Sequence, residues 1–122
     1  MPELKKYKMF INGEWVNSDT EKTFETLNPE NNKPWAVVPE ASASDVDRAV
    51  KAAQNAFEGE WPKLLPKERA KFLRLIGDKL RENAEHLGKI ETIDTGKLYR
   101  ETYKQANYIA CLLYTSDAAD DL

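Results

Sequence analysis

A short β region followed by about four helices is the architecture that this sequence predicts. Asn12-Gly13 between two mainly apolar triplets indicates a β-hairpin near the start of the chain. Farther along, apolar residues recur at helical spacing, and glycines and prolines interrupt them about one helix length apart. Strands followed by a run of helices, taken alone, indicate the α+β class.

The strands are predicted in the first third of the chain. Residues 1–8 are polar, and no regular structure is expected there. Residues 9–16 form the hairpin, because a type I′ turn needs positive φ at both central positions and Asn-Gly meets that need. Residues 22–27 are a third strand and residues 35–38 a fourth, closed by Pro39.

The first helix is predicted to begin at Ser44. Its hydroxyl would cap the first turn, and Asp45 and Asp47 would complement the positive end of the helix dipole. The helix carries one apolar stripe, formed by Val46, Ala49, Val50, Ala53 and Phe57.

Gly59 and Pro62 end the first helix, and Pro66 begins the second. The third helix is capped by Asn83 at its start and ends at Gly96. A fourth is expected from about Leu98 or Tyr99. The later apolar faces are Phe72, Leu73, Ile76 and Leu80, then Leu87, Ile90 and Ile93, then Tyr103, Ala106, Ile109 and Ala110. A few short strands cannot cover four such faces, so we expect part of this surface to pack on further protein.

Length and charge exclude several classes of protein. A chain of 122 residues suits one small domain and is too short for a two-domain enzyme with a cofactor site. Net charge is −3, and its acidic excess comes from the last twelve residues, so neither a nucleic-acid nor a membrane surface is indicated. No signal peptide or apolar run of membrane-spanning length is present, which predicts a cytoplasmic protein.

The segment 111–122 differs from the rest of the chain. It contains three aspartates and no Lys or Arg, and its helical register is poor after Leu113. The first ten of these residues are what a transposase-type sequencing adapter encodes when translated in frame. We therefore interpret residues 1–110 as the credible domain and residues 111–122 as a non-native read-through tail. A genuine helix end with an acidic terminus is the alternative.

Two side chains invite a catalytic interpretation. Cys111 is the only cysteine, but no motif pairs it with a base and it begins the suspect tail. His86 is the only histidine, and it lies on a charged turn beside Glu82 and Glu85 with no second residue that suggests a metal site. We expect neither to be catalytic.

Three other patterns favour structural roles. Gly96-Lys97 lacks the glycine that a phosphate loop requires five positions earlier, so a helix cap is expected. The tryptophans at 15, 35 and 61 lie in separate elements, which favours packing over a carbohydrate platform. A basic cluster, diluted by acids, is expected to be a solvated helix face and consists of Lys63, Lys67, Arg69, Lys71 and Arg74.

Five segments stand in a specific order along the chain. They are F-I-N-G-E-W at 10–15, T-L-N-P at 26–29, A-S-D-V-D-R-A-V-K-A-A at 43–53, W-P at 61–62 with P-x-E-R at 66–69, and E-T-I-D-T-G-K at 91–97. In this order they resemble the opening of an aldehyde dehydrogenase. The resemblance covers roughly residues 8–110.

This resemblance implies an α/β fold, of which the chain is an incomplete part of the Rossmann-like cofactor domain. It implies NAD(P)-dependent oxidation of an aldehyde to a carboxylic acid by a complete protein that is a homo-oligomer. The family's catalytic cysteine, base and NAD or NADP contacts would lie downstream, so no catalytic or cofactor-binding residue is assigned here, and the chain alone is expected to be inactive. The helix around Tyr108 and Ile109 resembles one that borders the substrate entrance.

A structural monovalent cation is also implied by the resemblance. Its ligands would be the backbone carbonyl of Leu27, with that of Thr26, and the carboxylate of Asp94, and oxygen ligands suit a hard cation. For Asp94, a hydrogen bond to nearby backbone at the helix end is the alternative. For the whole chain, the alternative is a self-contained small α+β interaction domain without catalysis.

Overall fold

The structure is a computed structural model that describes residues 4–118, with side chains described as far as residue 114. The strands are β1 (Lys5–Lys6), β2 (Met9–Ile11), β3 (Glu14–Val16), β4 (Thr23–Asn28) and β5 (Lys33–Pro39). The helices are α1 (Ala43–Glu58), α2 (Pro66–Glu82), α3 (Ala84–Thr95) and α4 (Tyr99–Ala118), with a single 3₁₀ turn at Trp61–Lys63. The predicted order of strands before four helices is confirmed.

The chain divides into two compact units, Met1–Pro62 and Lys63–Leu122, here called unit 1 and unit 2.

The interpretation of residues 111–122 as a non-native tail stays a prediction. Residues 111–118 continue α4 beyond Leu113, and residues 119–122 lie outside the described part.

Unit 1 contains two small sheets. Strands β2 and β3 form the predicted hairpin, and Asn12 and Gly13 have φ of 52° and 82°, as a type I′ turn requires. The second sheet has the order β1-β5-β4, with β4 and β5 antiparallel and β1 parallel to β5.

Two strand predictions need correction. Lys5 and Lys6 were expected in irregular chain, but they pair with Ala36 and Val37 of β5. The strand forms because β5 provides hydrogen-bonding partners for its backbone, and the polar side chains of Lys5 and Lys6 give no indication of this pairing. Strand β5 is also longer than the predicted 35–38, because its pairing with β4 continues past an irregularity between Thr26 and Leu27.

Helix α1 begins one residue earlier than predicted. Its cap is Ser42 rather than Ser44: the Ser42 Oγ accepts a hydrogen bond of 3.1 Å from the Asp45 amide, and the Ser42 amide donates one of 3.0 Å to the Asp45 carboxylate. This reciprocal capping box satisfies two backbone donors at once. The predicted apolar stripe lies largely in solvent, since Val50 and Phe57 are 60% and 66% exposed.

The boundaries in unit 2 follow the predicted signals. Pro66 is the first residue of α2, and Glu68 accepts a hydrogen bond of 2.8 Å from the Leu65 amide. Gly96 ends α3 with φ of 73° and donates its amide to the Thr92 carbonyl at 2.9 Å. Asn83 occupies the predicted N-cap position of α3, but its side chain makes no cap hydrogen bond, and Asn83 Nδ2 instead donates to the Lys79 carbonyl of α2.

The core of unit 2 consists of small residues. Helix α4 packs on both α2 and α3. The buried positions are Ala70, Gly77, Ala84, Gly88, Thr102, Ala106 and Ala110. Of the predicted apolar faces, Ala106 and Ala110 are buried, whereas Phe72, Ile76, Tyr103 and Ile109 are 42–50% exposed. Within residues 4–118 no helix is long and apolar enough to cross a membrane.

Candidate functional site

The predicted cation ligand Leu27 lies near the end of β4. It follows the irregularity in the ladder and stands opposite Pro34. Because proline has no N–H, Pro34 cannot donate a hydrogen bond to the Leu27 carbonyl.

The second predicted ligand, Asp94, belongs to unit 2 and lies exposed in the last turn of α3. Nearby, Lys97 forms an ion pair of 2.7 Å with Glu91, and Thr95 donates to the Glu91 carbonyl at 2.6 Å. Leu27, in contrast, belongs to unit 1. Among residues 4–118 there is no cluster of three or more His, Cys, Asp or Glu side chains suited to a metal ion.

The most strongly perturbed titratable group of the described chain is Asp45, which the predicted site did not include. Asp45 is buried, with 1% of its surface exposed. The amide of Ser42 and the hydroxyl of Ser18 donate to its Oδ2 at 3.0 and 2.7 Å, and Arg48 donates to its Oδ1. The Asp19 amide reaches both oxygens at 3.3 Å.

These donors set the charge state of Asp45. The Ser42 backbone hydrogen bond is the largest cause that holds the pKa of Asp45 well below its usual range, and burial opposes it only in part. Ser18, Arg48 and Asp19 lower the pKa further. A carboxylate with its oxygens occupied by donors cannot act as a base near neutral pH. Asp45 therefore anchors the segment after β3 to the start of α1, and the S-x-x-D spacing from Ser42 is the sequence signal that indicates half of this network.

The residues that invited a catalytic interpretation lie in unsuitable places. Cys111 is exposed on α4, where the neighbouring amides are used in the helix and cannot form an oxyanion hole. His86 is exposed in the first turn of α3. Lys97 is committed to Glu91, and Gly96 is the helix cap that the sequence predicted.

The tryptophans and the basic cluster also make local structural contacts and do not form a binding site. Trp15 pairs with Phe10 on the hairpin at a ring distance of 5.0 Å, whereas Trp35 contacts Tyr7 in the other sheet at 6.1 Å. No shared platform for a sugar exists between these two tryptophans. In the basic cluster, Arg69 donates to the Leu64 carbonyl at 2.6 Å and so serves the start of α2.

Each unit instead presents apolar surface. In unit 2 a shallow groove of about 450 Å³ lies along α2 and the start of α3, and its apolar lining consists of Phe72, Leu75, Ile76, Leu80 and Leu87. In unit 1, Val46 joins Val50 and Phe57 in the exposed stripe of α1. Tyr108 and Ile109, on α4, are 63% and 42% exposed. Apolar surface gathered in this way is typical of an interaction face.

Comparison with known proteins identifies the family. The family model described as "Aldehyde dehydrogenase family" matches residues 15–122. The chain is 43% identical over 101 residues to aldehyde dehydrogenase family 2 member C4 of Arabidopsis thaliana, covering 82% of this chain and 20% of that protein. It is 42% identical over 115 residues to an aldehyde dehydrogenase of Aspergillus niger, covering 93% of this chain and 23% of that protein.

Solved structures of aldehyde dehydrogenases also resemble this chain. The NAD-dependent aldehyde dehydrogenase of Sinorhizobium meliloti superposes with a TM-score of 0.92 at 28% identity, over 98% of this chain and 24% of that one. Betaine aldehyde dehydrogenase of Staphylococcus aureus, solved with NAD⁺, gives 0.87 at 36% identity, over 92% of this chain and 22% of that one.

The chain thus spans about a fifth of the length of the curated relatives it matches. Its strands and four helices correspond to the N-terminal part of their Rossmann-like fold. The chain belongs to the aldehyde dehydrogenase family.

Proposed function

We propose that this chain is the N-terminal part of an NAD(P)-dependent aldehyde dehydrogenase, which oxidises an aldehyde to a carboxylic acid. The observation that carries the proposal is 43% identity over 82% of the chain to a curated aldehyde dehydrogenase. The NAD⁺-bound structure of a related enzyme supports a nicotinamide cofactor. Cytoplasmic location and a homo-oligomeric complete protein belong to the same proposal.

The residues of this chain do not supply the chemistry of that reaction. The sequence contains no Gly-x-Gly-x-x-Gly loop, and among the described residues of unit 1 no strand follows α1, so no strand-helix-strand crossover forms there. These residues do not fit a dinucleotide site by themselves. The exposed Cys111 has no oxyanion hole. The chain alone is therefore proposed to be inactive and unable to retain NAD(P).

The role of this part is architectural. Exposed apolar side chains on α1 and α2, Val50, Phe57, Phe72 and Ile76 among them, favour a surface that the rest of an aldehyde dehydrogenase covers. A self-contained interaction domain, the alternative, would have fewer large apolar residues in solvent. It predicts a monomer with one cooperative thermal transition, whereas the proposed part predicts association or binding of dyes that detect exposed apolar surface.

The cation proposal concerns Leu27 and Asp94. The Leu27 carbonyl, opposite Pro34, and the Asp94 carboxylate supply oxygen donors of the kind a hard monovalent cation prefers. Asp94→Asn in the complete protein should weaken stabilisation by K⁺ or Na⁺ relative to choline. Glu85→Gln, on the exposed surface of the same helix, is the matched control. Equal cation dependence in both variants would contradict the assignment.

Sequencing the source DNA across the codon for Ala110 tests the main proposal. We expect the frame to continue into several hundred further residues, as the coverage of the relatives indicates. The encoded longer protein should reduce NAD⁺ or NADP⁺ in an aldehyde-dependent reaction, and the 122-residue chain should not. A source gene that stops after Leu122, or a longer protein inactive with every aldehyde tested, would refute it.

A further inference from the structure

We propose that Asn12 is a site of spontaneous deamidation in this protein. Asn12 is the only asparagine that is followed by glycine. Asn12 and Gly13 are both exposed at the tip of the hairpin, and apart from the two chain neighbours of Gly13 no residue has an atom within 4 Å of the position that a Cβ on Gly13 would occupy. The reacting groups are therefore open to water and unobstructed.

The reaction is an intramolecular acyl transfer. The backbone nitrogen of Gly13 attacks Cγ of Asn12, so an N–Cγ bond forms while the Cγ–Nδ2 bond breaks. Nδ2 leaves as ammonia and carries away the proton lost by the Gly13 amide. Water then opens the resulting succinimide at one of its two carbonyls and yields aspartate or isoaspartate. No oxidant, metal or enzyme is needed.

The position of Gly13 in the hairpin favours this attack. The ladder ends with the pair Ile11 and Glu14, so the Gly13 amide belongs to the turn and is not a ladder donor. Any side chain at the following residue would hinder the approach of its nitrogen to Cγ, and glycine has none. The remaining asparagines precede bulkier residues or proline and stand at 17, 28, 31, 32, 55, 83 and 107.

The product would change the hairpin. Isoaspartate adds one backbone carbon to a two-residue turn whose positive φ values fit the twist of its strands. The register that places Phe10 opposite Trp15 depends on that turn. Deamidation thus adds a negative charge and disrupts the strand pairing beneath the exposed Phe10–Trp15 ring contact.

The experiment is incubation of the whole folded chain at mildly alkaline pH, followed by proteolysis and peptide mass spectrometry. We expect the peptide containing Asn12 to convert to aspartate and isoaspartate forms several-fold faster than those containing Asn55 or Asn107. Intrinsic fluorescence should change in step, because Trp15 is in the hairpin. Asn12→Gln is the matched control, since its longer side chain closes a larger ring more slowly, and it should remain intact.

Conversion of Asn12 no faster than that of Asn55 and Asn107 would overturn the proposal. So would equal conversion in the Asn12→Gln variant. The comparison is made within one protein sample, so differences in folding between preparations do not affect the first result. Neither outcome depends on aldehyde dehydrogenase activity, and the inference stands apart from the proposed function.

Discussion

The two units contrast in what occupies their buried positions. In unit 1 the most buried residue of α1 is the charged Asp45, and donors from two segments of the chain surround its carboxylate. In unit 2 the buried positions are mainly alanine and glycine, and helices approach closely because there is little side chain between them.

Because the buried residues differ, the two units should be sensitive to different kinds of substitution. A charge with full hydrogen bonding is stable when buried, but removal of that charge leaves its donors unpaired. A contact between small residues depends on close approach of the helices rather than on a buried charge, and it fails when a larger side chain is introduced. Unit 1 should therefore be sensitive to loss of an acceptor and unit 2 to gain of volume.

The tryptophans allow this contrast to be measured. All three, at 15, 35 and 61, belong to unit 1, so tryptophan fluorescence reports mainly unit 1. Three of the four helices belong to unit 2, so far-ultraviolet circular dichroism reports mainly unit 2.

The largest effect is expected for Asp45→Ala. Ser18 and the amides of Asp19 and Ser42 would lose their common acceptor, and the cap of α1 would lose one of its two hydrogen bonds. The unfolding transition seen by tryptophan fluorescence should shift to much lower denaturant. Asp47→Ala is the matched control, because Asp47 is an exposed residue of the same helix and its ion pair of 2.7 Å with Lys51 lies on the surface. Equal losses in the two variants would contradict the anchoring role of Asp45.

Protonation of Asp45 should reproduce part of this effect. Its pKa in the folded state lies below the ordinary value for aspartate, mainly because of the Ser42 amide. The stabilisation is therefore present above the unfolded-state pKa, about 4, and is lost as the pH falls from there toward the folded-state pKa. The fluorescence transition should weaken below about pH 4 in the wild type, and this acid limb should be flatter in Asp45→Ala. An identical acid limb in the variant would assign the pH dependence to other carboxylates.

Gly88→Val tests the steric part of the comparison. A Cβ at Gly88 would lie 3.0 Å from the Tyr103 amide nitrogen and 3.1 Å from its Cα, and neither backbone atom can move easily. Overpacking of this kind costs about 1–3 kcal/mol, and we expect the upper part of that range. Denaturant unfolding followed by circular dichroism measures it.

His86→Val is the control for Gly88→Val, because it places the same side chain on the exposed surface of α3. It should change the free energy of unfolding by no more than about 0.5 kcal/mol. A Gly88→Val variant as stable as this control would mean that α3 and α4 are not in close contact.

The same contrast explains what the sequence could predict. The Asn12-Gly13 turn and the Gly96 cap were predicted correctly because each depends on φ at one or two residues, which residue type largely determines. The cap of α1 was assigned to Ser44, although Ser42 has Asp45 three positions later and the pattern was readable.

Tertiary features were not readable in this way. Strand β1 forms because Lys5 and Lys6 lie beside β5, a parallel pairing between distant segments that leaves no local pattern. Apolar periodicity groups Phe72 and Ile76 on one face of α2, but it does not indicate that close helix packing buries Ala70 and Gly77. The family follows from five short segments in order, whereas the cation ligands Leu27 and Asp94 rest on that resemblance and remain a prediction.

The smallest effect is expected at the end of α4, where removal of residues 111–122 tests the interpretation of that segment as a tail. Tyr114 packs against Gly77, donates to Asp78, and has Arg81 over its ring at 5.1 Å, so truncation after Ala110 removes a real contact with α2. These contacts lie at an exposed helix end, where local unfolding costs little. We expect only a slight fall in the midpoint seen by circular dichroism. Tyr114→Ala in the full chain should reproduce most of that fall. If truncation instead abolished the transition, residues 111–122 would be an integral part of unit 2, which is difficult to reconcile with a read-through origin.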